Sequence, residues 1–228
     1  MTVATRLYKQ SGDLHASIRG RASGTSYAGS MQREKGMPDS TFRFGNGRLC
    51  FTFTATLGNR GSAAPIERLA RPADLARWCV ELGLLAEPPA TGAATLAEAR
   101  RLREAIDQTA ESVRTGTCLD PQPTKVINSW AARPALTPQL DETGSLRWRQ
   151  EGAQTRHVLA LVARDAVDLL TNPTSSRLRR CANPECQGMF VDVSAPGNRR
   201  WCSMNTCGNQ AKKAAFRQRR TQLERHGP

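Results

Sequence analysis

Four cysteines near the C-terminus limit how this chain can fold more than any other feature. Cys181 and Cys186 enclose four residues, Cys202 and Cys207 enclose four more, and 15 residues separate the two pairs. Four thiolates are a complete ligand set for a closed, tetrahedral structural zinc site. We therefore predict that the four cysteines together bind one Zn²⁺. Ordinary core thiols and a disulfide switch are the alternatives that this spacing leaves open.

Helix geometry predicts how the second cysteine pair is arranged. On a continuous α-helix, at about 100° per residue, Cys202 and Cys207 would lie about 140° apart and could not bind the same ion. Cys202 should therefore precede the helix, and Cys207 should lie at or near its first turn. The segment 181–220 contains few large apolar residues. Zinc binding would supply its missing stability, on the order of 10 kcal/mol or more, and would fix the start of the helix.

Positive charge is concentrated in the same part of the chain. The formal net charge is +13, and residues 174–228 hold 11 Lys or Arg against three acidic residues. This excess predicts a surface that faces a polyanion, and we expect the partner to be DNA. Lys213, Arg217 and Arg220 follow one helical face at i, i+4 and i+7. The predicted nucleic-acid contacts are Arg199, Arg200, Lys212, Lys213, Arg217, Arg219 and Arg220.

The basic helix has more than one way to use these cations. Phosphate contacts would give a salt-dependent affinity that carries little sequence information. Arg217 or Arg220 could instead enter a major groove and bind guanine through two hydrogen bonds. Phe216 interrupts the cations, and we expect it to pack back on the zinc module. A solvated basic face, or an interface with an acidic protein, would account for the same charges.

Composition divides the chain into three parts. Residues 1–41 are rich in Ser, Gly and Arg, which predicts a disordered leader. Met31 or Met37 as the true first residue, or an organelle transit peptide, are alternatives for this part. Residues 42–173 predict one α+β domain, mostly helical with a small sheet, and residues 174–228 predict the zinc module that ends in a basic helix. No apolar run approaches the roughly 20 residues of a membrane helix, so we expect a soluble, cytoplasmic protein.

Local patterns predict the elements of the first domain. Aromatic residues and threonines in GRLCFTFTATLGNRG favour a strand. RPADLARWCVELGLL has the pattern of an amphipathic helix that ends at Gly83, and a longer helix ends at Gly116. Asp120 and the proline after it are typical of a helix start. A hairpin follows, ending near Trp148, and the last helix ends at Asn172.

The sequence offers little for catalysis. Its histidines are His15, His157 and His226, and His157 begins an apolar helix, where we expect a capping or core role. Asp165 and Asp168 on that helix are expected to be solvated or paired. No catalytic motif of nucleophile and base, phosphate-binding glycine loop or H-E-x-x-H stands out, so we predict that the protein is not an enzyme. A redox sensor acting through the zinc thiolates and a protein–protein adaptor are alternative functions.

The cysteine-rich segment resembles a known module. RRWCSMNTCGNQAKK is similar to the CGNR zinc-finger signature, in which Trp-Cys-Ser-Met precedes Cys-Gly-Asn-Arg, and LRRCANPECQGMFVDVSAPGNRRWC fits the same module. GRLCFTFTATLGNRG, RPADLARWCVELGLL, LALVARDAVDLL and the hairpin are similar to the ABATE domain that usually precedes this finger. The resemblance spans about residues 42–220. It implies a bacterial, stress-induced transcription regulator whose finger binds DNA and whose first domain responds to stress or to a small effector.

Two departures from the family pattern concern function. Gln210 stands where the finger signature has Arg, which would remove one potential phosphate contact while leaving Lys212 and Lys213 nearby. Near the start of the first domain the family pattern is roughly Leu-Asp-Phe-x-Asn-Thr, and here Thr52 and Ala55 replace the acid and the amide. If the family binds an effector through those two groups, we expect this protein to have lost or altered that ability.

Overall fold

The computed structural model describes residues 42–149, 152 and 154–225, with side chains as far as residue 220. The predicted leader, residues 1–41, lies outside the described residues. Helices predominate, and the strands form two-stranded antiparallel ribbons that pair β1 with β2, β3 with β4 and β5 with β6. This is the α+β class that the sequence predicts. Within the described part of the chain, every helix is too short or too polar to cross a lipid bilayer.

The bounds of the elements are as follows. The helices are α1 Leu49–Thr54, α2 Pro72–Glu81, α3 Ala93–Thr115, α4 Pro121–Ala131, α5 Thr155–Thr171 and α6 Asn209–Arg225. The strands are β1 Leu57–Gly58, β2 Ile66–Glu67, β3 Thr137–Leu140, β4 Leu146–Arg149, β5 Leu178–Arg180 and β6 Met189–Val191. A 3₁₀ turn at Pro173–Arg177 joins α5 to β5, and a π-helical turn at Met204–Gly208 leads directly into α6.

The strand predicted around residues 49–57 is wrong, because most of this segment is helix α1. Five of its six residues are buried, the threonines included, so burial is not confined to one face and the alternation of residue types does not indicate a strand. The threonines, which favoured a strand in the sequence, instead form hydrogen bonds with the backbone of the helix. The Oγ1 atoms of Thr52 and Thr54 donate to the carbonyls of Arg48 and Phe51, at 3.1 Å each. Tertiary packing therefore overrides the strand preference of these residue types.

The other helices and the hairpin of the first domain agree with the sequence prediction. Gly83 follows the end of α2 and Gly116 caps α3, and both adopt the left-handed conformation that favours glycine. The Asp120 carboxylate accepts a hydrogen bond from the Gln122 amide at 2.9 Å and caps α4. Strands β3 and β4 form the expected hairpin, with Pro138 opposite Trp148.

The main core lies where α1, α3, α4 and α5 pack together. Its fully buried members include Phe51, Trp78, Leu102, Ile106 and Leu159. A buried cation ties α1 to α5 beside this core, because the Arg48 guanidinium contacts the carboxylates of Asp165 at 2.8 Å and Asp168 at 2.6 Å. Of the two alternatives that the sequence left open for these carboxylates, solvated or paired, the structure shows pairing.

The β5–β6 ribbon of the cysteine-rich segment belongs to the same core. Leu178, Met189 and Val191 on β5 and β6 are buried in the main cluster. The amide of Val191 donates to the Asn46 carbonyl at 3.0 Å, and Asn46 Nδ2 donates to the Met189 carbonyl at 3.2 Å. Strands β5 and β6 therefore pack against the first domain as part of its core. The division of the chain at residues 41 and 173 stays a prediction.

Candidate metal centre and basic helix

The structure brings the four predicted cysteines to one point. Their sulfurs all lie within 4.8 Å of one another, with Cys186 Sγ 3.6 Å from Cys202 Sγ and Cys202 Sγ 3.7 Å from Cys207 Sγ. A tetrahedral zinc with Zn–S bonds of about 2.3 Å requires sulfurs about 3.8 Å apart. The four side chains are buried. Four sulfur ligands at these separations, all buried, fit a closed structural zinc site. The cysteine-rich segment is therefore a zinc-binding module.

The first cysteine pair sits on a tight turn after β5. The Asn183 side chain accepts a hydrogen bond from the Glu185 amide at 3.0 Å, and its carbonyl accepts one from the Cys186 amide at 3.0 Å. Gln187 then takes a left-handed φ of 50°, and the Cys181 amide donates to the Gly188 carbonyl at 2.9 Å. These bonds close the loop so that both sulfurs face inward.

The second pair has the arrangement that helix geometry predicted. Cys202 precedes the helical segment, and Cys207 lies in the π-helical turn at its start. Ser203 begins this turn: its side chain accepts from the Thr206 amide at 3.3 Å and its carbonyl from the Gly208 amide at 3.0 Å. Helix α6 follows without a break, so the direction of α6 is fixed by the position of a zinc ligand.

The thiols perturb one another's protonation because they are crowded together. Hydrogen bonding with Cys186 is the largest cause of the lowered pKa of Cys181. Hydrogen bonding with Cys181 is in turn the largest cause of the raised pKa values of Cys186 and Cys202. Some members of the cluster therefore keep their protons unless a cation replaces them. Zinc binds thiolates, so its binding releases those protons and becomes weaker as the pH falls.

A loop of the first domain holds the first cysteine pair from outside. The amides of Arg60 and Gly61 donate to the carbonyls of Cys186 and Glu185, at 3.1 and 3.0 Å. A Cβ atom on Gly61 would lie 2.0 Å from the Pro184 carbonyl oxygen, so only glycine permits this approach. The loop that follows β1 and the zinc-binding turn therefore form one continuous hydrogen-bonded unit.

Carboxylates of α3 reinforce this contact. Arg180, the residue before the first zinc ligand, contacts Glu111 at 2.9 Å and Asp107 at 3.3 Å. The Arg60 side chain reaches Glu104 at 2.6 Å and Asp107 at 3.7 Å. Asp107 thus joins a cation of the loop to a cation of the finger. Hydrogen bonds from Arg114 and then Arg180 lower the pKa of Glu111 to about 2, so this carboxylate stays ionised at neutral pH.

Helix α6 carries most of the predicted DNA contacts on an exposed surface. Lys212, Lys213, Arg217, Arg219 and Arg220 are all exposed. The prediction that Phe216 packs back on the zinc module is wrong, because 61% of its surface is exposed. The apolar residues that pack with the four cysteines are instead Phe190 and Trp201.

Three further residues near the finger have particular roles in the fold. Gln210, where the family signature has Arg, accepts a hydrogen bond from Asn183 Nδ2 at 2.8 Å and links the start of α6 to the first cysteine turn. The Arg199 guanidinium donates to the carbonyls of Trp201, at 2.8 Å, and Cys202. Arg200 is exposed, with its guanidinium 5.2 Å from the centre of the Trp201 ring. A DNA contact by Arg199 or Arg200 stays a prediction.

A zinc module of four cysteines that carries an exposed basic helix defines a zinc-finger protein. Residues 177–220 match the model of the CGNR zinc finger. Residues 47–173 match the ABATE model, whose description is "Putative stress-induced transcription regulator". The second match covers more than half of the chain, and the chain belongs to the ABATE family. The resemblance inferred from sequence is confirmed. No curated protein sequence matches the chain.

Sequence reasoning missed the residues that attach the finger to the first domain. The sequence pattern assigned no role to Arg60, Gly61, Asp107 or Arg180. Their partners are more than 40 residues away in sequence. The one available signal was the Gly-Asn-Arg-Gly stretch ending at Gly61, since glycine within a strand pattern often marks a close backbone approach.

Proposed function

We propose that this protein is a zinc-dependent transcription regulator that binds DNA through helix α6. The observation that carries the proposal is the position of α6: it continues directly from the turn that contains the zinc ligand Cys207, and its cations are exposed along the helix. A helix held in this way keeps its cationic face ordered before DNA arrives. Binding then costs less conformational entropy than it would for a flexible basic tail.

The charge pattern supports DNA over an acidic protein as the partner. Lys213, Arg217 and Arg220 recur at the spacing of one helical face, with Lys212 and Arg219 beside them. Such a row of cations contacts successive phosphates and releases condensed counterions, which makes the affinity depend steeply on salt. A discrete acidic patch on a protein gives a weaker salt dependence. The slope of affinity against salt concentration therefore separates the two partners.

The test is a binding titration of zinc-loaded protein with a fluorescent duplex of random sequence. We expect the triple variant Lys213→Ala, Arg217→Ala, Arg220→Ala to bind more weakly, with a slope of log affinity against log salt that is shallower by up to about 3. The matched control replaces Arg101, Lys125 and Arg156, exposed cations of the first domain, by Ala. Equal losses in the two triple variants would refute the assignment to α6.

Removing the metal completes this test. Chelation of zinc should abolish the ordered start of α6 and lower DNA affinity, while the intact basic sequence remains in the chain. Re-addition of Zn²⁺ should restore binding. Unchanged DNA affinity after verified loss of zinc would show that the metal centre is not needed for binding, and the zinc-dependent part of the proposal would fall.

The contacts between the two parts of the chain support regulation through the first domain. The Arg60–Gly61 loop and the Asp107 and Glu111 carboxylates touch the finger next to its zinc ligands. A change in the first domain, caused by stress or an effector, would alter those contacts and so the position of α6. The hydroxyl of Thr52, at one of the positions that departs from the family pattern, is bonded inside α1. We therefore do not propose that an effector binds to Thr52.

We propose a non-enzymatic role, and the contacts of the candidate catalytic groups support it. The Nδ1 atom of His157 accepts the Gln154 amide at 3.0 Å and caps α5, as the sequence predicted. Burial, with a smaller effect of Arg156, lowers the pKa of His157. Burial raises the pKa of Cys79 to about 12, so this thiol is unreactive at neutral pH. Burial of the zinc ligands likewise favours a stable site over a peroxide sensor.

A further inference from the structure

An aromatic side chain lies in the middle of the basic surface of α6. Phe216 is 61% exposed, although a phenyl ring in a monomeric protein is usually buried. Its helical neighbours at i−4, i−3, i+3 and i+4 are Lys212, Lys213, Arg219 and Arg220. All four are cations, and all four are exposed. The ring is therefore the centre of a cationic face.

Helix geometry places these cations on both sides of the ring. At about 100° per residue, Lys212 and Arg219 lie about 40° and 60° to one side of Phe216, and Arg220 and Lys213 lie about 40° and 60° to the other. The ring is thus an apolar group that lies between two pairs of cations, one pair on each side. A partner that matches this face has an apolar floor between two rows of negative charge.

The major groove of duplex DNA has that pattern. Its walls are two phosphate backbones, and its width admits an α-helix. On its floor, thymine presents a 5-methyl group, the apolar feature that separates A·T from the other pairs in that groove. A second copy of this chain would instead bring cations against cations, which is unfavourable. Charge complementarity therefore selects DNA as the occupant of this face.

We infer that α6 lies in the major groove with Phe216 against the base edges, where the ring contacts thymine methyl groups. This inference rests on the proposed DNA binding and adds a base preference to it. The cations on both sides of the ring contact phosphates of the two strands and set the depth of the helix. The preference for thymine comes from the ring and the salt dependence comes from the cations.

The experiment compares two duplex probes that differ only in the methyl group. One is an alternating dA·dT duplex about two helical turns long, and the other has deoxyuridine in place of every thymidine. We expect zinc-loaded wild-type protein to prefer the thymidine duplex by about fourfold for each methyl group that the ring covers. The Phe216→Ala variant should lose this preference and keep the salt slope of the wild type.

Controls separate this inference from the proposed function. Leu140→Ala removes another exposed apolar side chain, far along the chain in the β3–β4 hairpin, and should keep the preference. Zinc content of each variant shows that the finger is folded. Equal binding of both duplexes by the wild type, with a steep salt slope, would overturn the thymine contact and leave DNA binding in place. Failure to bind either duplex would overturn both.

Single-stranded DNA provides a second decisive comparison. An exposed phenyl ring can also stack on unpaired bases, worth about 1–3 kcal/mol per base. If the wild type binds a thymidine single strand more tightly than the duplex, and Phe216→Ala removes that difference, the ring is a stacking platform and the groove placement is wrong. Tighter binding of the duplex by the wild type supports the groove placement.

Discussion

Replacing Gly61 by alanine should detach the zinc-binding turn from the first domain. The added Cβ would lie 2.0 Å from the Pro184 carbonyl oxygen and 2.6 Å from Gln187 Cγ, whereas ordinary contacts begin near 3.4 Å. The Gln187 side chain can move, but the Pro184 carbonyl is backbone within a closed turn. The loop and the turn would have to separate by about 1.4 Å, given ordinary packing distances.

The cost follows from the bonds that this separation breaks. The amide of Gly61 donates to the Glu185 carbonyl at 3.0 Å, and that of Arg60 donates to the Cys186 carbonyl at 3.1 Å. Both distances would exceed the range of a hydrogen bond. Each lost bond costs about 1 kcal/mol, or more where the partners stay buried without replacement, so we expect the free energy of unfolding to fall by about 2–4 kcal/mol.

The assay is urea unfolding of zinc-loaded protein, followed by tryptophan fluorescence and by zinc release to a coloured chelator. Gly92→Ala is the matched control, because a Cβ there meets nothing within 4 Å and φ is −97°, which leaves only the small cost of alanine at the N-cap of α3. For the wild type, we expect the fluorescence change and the zinc release to occur at the same urea concentration. For Gly61→Ala, we expect zinc release at a lower urea concentration. If Gly61→Ala and Gly92→Ala unfold within about 0.5 kcal/mol of each other, the close approach does not carry the stability assigned to it.

Three other outcomes follow from the same contacts. Cys186→Ser should reduce bound zinc well below one ion per chain in metal analysis, whereas Cys118→Ser, which changes an exposed thiol, should leave it unchanged. Arg48→Met should lower the free energy of unfolding by about 3–5 kcal/mol in urea, because Asp165 keeps a charge in a largely buried position without its partner; a loss below about 1 kcal/mol would contradict this. An NMR titration should give His157 a pKa below about 6.5, because burial favours the neutral imidazole. Neutral His157 therefore makes its full contribution to the free energy of unfolding above about pH 6.5. That contribution is lost as the pH falls through the lowered pKa. A pKa above 6.5 would contradict the capping role.

Short-range chemistry explains why much of the architecture could be predicted. The αL glycines at 83 and 116 and the Asp120 cap act within a few residues of their own position, so their effect is visible in the sequence. The zinc site is equally local in its logic. Two cysteines so close in sequence bring both sulfurs to one ion only where the backbone turns. Cys202 and Cys207 would lie about 140° apart on a continuous helix, so Cys207 is placed at a helix start.

Helix α1 and Phe216 show where local reasoning fails. The residues of α1 have the composition of a strand, and only burial on all sides of the segment makes a short helix the better solution. Phe216 was expected to pack back on the zinc module, and it is exposed. Whether a ring finds a partner depends on which surfaces lie opposite it, and the apolar residues that pack with the four cysteines are Phe190 and Trp201.

The sequence by itself determined the metal, its four ligands and the cationic helix that follows them, because each depends on residue types at short and regular spacing. Tertiary structure alone decided that the finger is attached to the first domain through Gly61, Arg180 and Asp107. Those contacts join residues that are far apart in the chain, and their pairing depends on the distances left between elements once the shared core has packed. Composition and periodicity do not encode such distances.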